Sequence, residues 1–122
     1  MLNLLCKTLL VLLLLGWFPV RAQEIEIGTG LICDTQKQIE RYVAEFTTQE
    51  ATLAAINADN ENACGVLPVV YIRGEKISQV RNHQGTFDVV AIIVIGLVTP
   101  MGVIQGSPLP QFTLFLVKEE AA

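Results

Sequence analysis

The stretch Val89-Val90-Ala91-Ile92-Ile93-Val94-Ile95-Gly96-Leu97-Val98 decides the fold, because ten consecutive residues carry no polar side chain. Dominated by β-branched residues, it reads as a buried strand. Side chains alternate at period two along a strand, so both faces of this one are apolar and both need a cover. As a helix the run is too short to cross a bilayer, and Thr99-Pro100 prevents its extension to Ile104. Helices can dry one face. The other needs either a sheet that curls on itself, an N-terminal arm or a second molecule, since a bare apolar face of several hundred Å² is unusual on a soluble monomer.

Working outward, residues 66–73 and 76–82 are rich in β-branched and aromatic side chains and flank Gly74-Glu75. This spacing predicts a hairpin with a two-residue turn, which would pair Arg73 with Lys76 and Tyr71 with Ser78. Pro68 offers no amide proton, so this end belongs at a sheet edge or outside the ladder. Gly85 breaks the pattern before a long strand over 87–98; Thr99-Pro100-Met101-Gly102 is a turn, 106–110 a loop and 112–117 a last strand. Toward the N-terminus, Glu24-Ile25-Glu26-Ile27 alternates as a short strand or arm leading into a turn at Gly28-Thr29-Gly30. Thr35 with Gln38 has capping-box spacing, and Ile39, Tyr42, Val43 and Phe46 recur at helical intervals. Thr47 with Glu50 repeats that spacing before a second helix over about 48–58. The fold class is therefore α+β: two short N-terminal helices packed on a four-stranded antiparallel sheet.

The first residues define the compartment. Lys7 precedes the apolar run 9–15, followed by Gly16, Pro19 and the cleavage-compatible Val20-Arg21-Ala22. The pattern predicts a signal peptide over 1–22, removed to leave one small domain over 23–122. Its apolar part, counted generously from Thr8 to Phe18, is 11 residues, short of the roughly 20 needed to span a membrane. Cys6 leaves with it. Cys33 and Cys64 remain, and an even pair in an exported chain reads as a disulfide. The bridge closes a loop of 32 residues, and in the chain-entropy model such a closure stabilises by roughly 3–4 kcal/mol. Flanking both helices, it staples them as a hairpin.

Once Lys7 and Arg21 are gone, six Lys and Arg face twelve Asp and Glu, a formal charge of −6. An acidic domain has no general affinity for nucleic acid or anionic membranes. One histidine and two bonded cysteines provide no zinc set, and no phosphate-cradling or dinucleotide motif occurs, so no cofactor is expected. The run Asp59-Asn60-Glu61-Asn62 lacks the glycine and distal glutamate of an EF-hand. Ser78 and Ser107 are the only serines and neither lies in a nucleophile elbow, so no catalytic residue is assigned and the chain reads as non-enzymatic. One positive region stands out, with Tyr71, Arg73, Lys76, Arg81 and His83 near the predicted hairpin. It is the candidate site for a small anionic ligand. The plainer reading is a solvated hairpin whose charges block edge pairing.

Two strings, Gly30-Leu31-Ile32-Cys33-Asp34-Thr35-Gln36-Lys37-Gln38-Ile39-Glu40-Arg41-Tyr42-Val43 and Val70-Tyr71-Ile72-Arg73-Gly74, resemble a group of small exported proteins of alphaproteobacteria. The resemblance implies a location in the bacterial envelope and carries over no activity, cofactor or functional residue. From the residues themselves the expected function is a periplasmic or secreted interaction module, meeting a second copy or another protein through the apolar face around Val89 to Val98. The alternative is the anion-binding module.

Overall fold

The computed structural model describes residues 24–117, so the predicted signal peptide lies outside the described residues. The order is β1 (Ile25–Cys33), α1 (Gln36–Ala44), α2 (Gln49–Asp59), β2 (Cys64–Asn82), β3 (Gly85–Thr99) and β4 (Gly102–Leu116). An α+β domain with four antiparallel strands is present, but the helices follow β1 instead of opening the domain. The fourth strand is β1, which runs straight through the expected turn at Gly28-Thr29-Gly30 and pairs with β2 from Ile25↔Ile72 to Cys33↔Cys64.

The helices start as the sequence predicts. Thr35 caps α1 by accepting from the Gln38 amide, while the Gln38 side chain accepts from the Thr35 amide at 3.0 Å. The cap of α2 is Thr48, one residue past the expected Thr47, and it accepts from the Ala51 amide. Arg41 of α1 pairs with both Glu45 and Asp59, linking the helices at their exposed side. The Cys33–Cys64 disulfide is formed, but between directly opposed residues of β1 and β2. It therefore staples the strand ends from which the two-helix excursion departs. Asn57 of α2 holds the same point by exchanging two 2.9 Å hydrogen bonds with the Cys64 backbone.

The predicted turn at Gly74-Glu75 is absent. Residues 66–82 form one continuous strand, with β2 running 19 residues, and Gly74 lies at a bulge between the pairs Arg73↔Ile92 and Lys76↔Val90. A side chain there has no room, because a Cβ on Gly74 would sit 2.6 Å from the Ala91 carbonyl oxygen. Glycine permits close strand approach at a bulge as well as a reversal, and here it does the former. The reversal comes at His83-Gln84, before Gly85 at φ +144°. Pro68 lies within the β1–β2 ladder, opposite Thr29, and only on the β3 side is it at an edge, one residue before the first pair Val69↔Leu97. The expected loop at 106–110 is also strand; only 106–108 bulge out, between the pairs Gly96↔Gln105 and Val94↔Leu109.

The sheet closes on itself. β1 meets β4 through Ile32↔Thr113 and Cys33↔Phe112, giving a four-stranded barrel. The inner face of β3, Val90 and Ile92, packs with Ile32, Val69 and Tyr71. The outer face, Val89, packs with Cys33, Cys64, Ile39 and Ile56 beneath the helices. Over 89–92 the decisive strand is thus covered on both faces, by self-closure on one side and helices on the other. Replacing Gly74 with Ala is expected to cost about 2–4 kcal/mol, because backbone must move to admit the methyl group. Gly106→Ala, where nothing lies within 4 Å, should change stability by less than about 0.5 kcal/mol. Urea midpoints of the two variants check the contrast.

Candidate functional site

The helical cover ends before the apolar face does. Along β3, outward-facing Val89 is fully buried, whereas Ile93 on the same face is 40 % exposed. Register places Ile93 opposite Ile72, and Ile72 opposite Ile25, so three isoleucines on neighbouring strands form one row. Ile27 shares the face two residues along β1. Ile25 and Ile27 are 61 % and 69 % exposed. No charged residue occurs anywhere in 89–117, so the β3–β4 hairpin beside this row is uncharged from Val89 onward. Its tip is apolar too: Met101 is almost wholly exposed, and Val103 and Ile104 are more than half exposed.

Of the residues proposed for an anionic ligand, Tyr71 and Arg73 lie close together, and each of the others has a contact of its own. Tyr71 is buried in the inner core. Arg73 makes a two-pronged bond to Glu26, both contacts 2.8 Å, and lies 3.8 Å over the Phe115 ring. Lys76 faces Asp88 at 3.2 Å, and Arg81 donates to Thr86 at 3.0 Å. His83 lies in the β2–β3 turn, its ring 6.2 Å from Phe46. Arg73 and Lys76 therefore already face carboxylates, and their pairing with each other across a turn gives way to pairing with Ile92 and Val90. Ser78, one of the two serines, donates to Glu40 at 2.9 Å.

Among the described residues no group of three or more His, Cys, Asp or Glu is placed to hold a metal ion. No helix among them is long and apolar enough to cross a membrane. Two features escaped sequence reasoning. The bare isoleucine row depends on where the helices stop and on strand register. Gln111, buried in the inner face and donating to Asp34 across 77 positions of sequence, is one of several polar residues of β4 and carries no signal of its own in the sequence. Comparison with protein-family models, curated proteins and solved structures finds no match for the chain.

The Asp88 carboxyl is held below the usual carboxylate range by a hydrogen bond from Gln79 and then by Lys76. Its folded-state pKa therefore lies below the unfolded one. The stabilisation is complete above the unfolded value and is lost as pH falls through the folded value. Asp88→Asn should accordingly melt below the parent at neutral pH, with the gap closing on acidification. Parallel thermal melts across pH check this, and a gap that widens in acid contradicts it.

Proposed function

We propose that the protein is an exported, non-enzymatic interaction module whose docking surface is the isoleucine row Ile25, Ile72 and Ile93 with Ile27, flanked by the uncharged β3–β4 hairpin. One observation carries this reading: on an acidic domain, the apolar face that the helices leave bare adjoins the one long segment without charge. Large exposed apolar patches mark interaction sites on soluble proteins. A second copy is the simplest occupant, because two such domains repel through their net charge except where these uncharged surfaces meet. Export is supported by the signal-peptide pattern at the N-terminus and by the disulfide, which an oxidising compartment maintains.

Protein purified from the periplasm after expression of the full chain should elute as a dimer, with its mass fixed by light scattering. Ile25→Lys combined with Ile93→Lys, both at exposed positions, should yield a monomer with an unchanged circular dichroism spectrum. A parent protein that stays monomeric at high concentration contradicts the proposal.

A further inference from the structure

Beyond the docking row, the concave side of the same sheet carries a second feature. Past the closed part of the barrel, the β3–β4 hairpin projects and leaves a cleft of about 310 Å³ against the ends of β1 and β2. Ile32, Val69, Val94, Leu97, Ile104 and Leu109 supply its apolar walls, and no charged residue lines it. Cavities of this size lie at the small end of ligand sites, which typically combine apolar walls with a few fixed polar groups.

The polar group here is Gln111. It is 7 % exposed and lines the cleft. Its Nε2 donates to Asp34 Oδ1 at 3.0 Å and to the Pro110 carbonyl at 2.9 Å. Both partners are pure acceptors, so the amide can be oriented in only one way, with both protons committed. No described group donates to the remaining oxygen, Oε1. Among the described residues no sealed side-chain oxygen or nitrogen lacks a partner, so Oε1 is not sealed, and Gln111 is the residue with a committed amide that lines the cleft.

We propose that this cleft binds a small uncharged aliphatic molecule with one terminal hydrogen-bond donor, an alkanol-like ligand whose hydroxyl donates to Gln111 Oε1. The chain covers Val69, Val94 and Leu97. A fatty carboxylate is refused: it would bring negative charge against an acceptor backed by Asp34, with no cation to compensate its desolvation. The site uses residues outside the isoleucine row, so it stands independently of association.

The test is displacement of the neutral fluorescent probe N-phenylnaphthylamine from the periplasmic protein, by octanol and by octanoate. Octanol should displace it at a concentration at least about tenfold below octanoate. Gln111→Leu should weaken octanol by about three- to tenfold, the range of one hydrogen bond, and leave octanoate unchanged. Because Gln111→Leu also removes a bond to Asp34, a second variant at a half-exposed position is needed. Leu97→Lys, which puts a cation at the mouth, should reverse the order of the two ligands. Octanoate displacing the probe as well as octanol does overturns the proposal, as does an unreversed order in Leu97→Lys. Probe binding that vanishes as protein concentration rises means that a second copy fills the cleft, and also overturns it. The Ile25→Lys, Ile93→Lys variant should bind octanol as the parent does whether or not the parent dimerises.

Discussion

Closing only four strands into a barrel is the constraint on which the rest of the structure depends. So narrow a barrel requires steeply tilted, strongly staggered strands. The pairs show it: Cys64 faces Cys33, Cys33 faces Phe112, Phe112 faces Ala91, and Ala91 lies against Gly74, about ten residues further along β2 than the starting point. β2 shows the consequence, pairing with β1 over 64–72 and with β3 over 69–82, while β1 and β4 meet only at the two closing pairs. Long strands follow from this, as do the bulges at Gly74 and at residues 106–108 that let them bend. The projecting ends follow too, and there the closed core gives way to the bare isoleucine row outside and the cleft inside.

The disulfide and the helices serve the same closure. Cys33 is at once the disulfide partner of Cys64 and the β4 partner of Phe112, so the covalent link and the closing pair meet at one residue. The helices leave β1 here and return to β2 here, their buried Ile39, Val43 and Ile56 covering the outer face above the junction. Loop-closure entropy opposes pairing strands separated by so long an excursion, and a covalent bond at its base lowers that cost by restricting the unfolded chain. The Asn57 bonds to Cys64 fix the returning chain in the same place.

What was legible in the sequence was local or compositional. Thr35 and Gln38 announced α1 because a capping box is complete within four residues. Residues 89–98 announced a strand dry on both faces, and the pairing of Cys33 with Cys64 needed no geometry. What was not legible depended on stagger. Gly74-Glu75 looks like a turn because a glycine flanked by strand-forming residues suits a reversal and a bulge equally. Only the approach of the Ala91 carbonyl from another strand decides between them. Gly106 to Pro110 misled for the same reason. The true reversal at His83-Gln84 lacks a glycine between its strands and carries it one position later. The isoleucine row and the Gln111 acceptor were out of reach, since they require knowing which residues oppose one another across three strands.

The proposed docking row and ligand cleft both lie where closure stops. Charged and aromatic side chains at the other end of β2 are spent on holding strands together, as Arg73 is with Glu26 and Phe115. The hairpin from Val89 onward carries no charge to be used in this way. The most direct measurement of this account is a nuclear Overhauser spectrum of the oxidised protein. Contacts of Ile32 and Cys33 with Thr113 and Phe112 should appear together with contacts of Cys33 with Cys64, and the amides between should be protected from exchange. A β1 strand in contact with β2 alone, beside a freely exchanging β4 edge, would mean an open sheet and contradict the barrel.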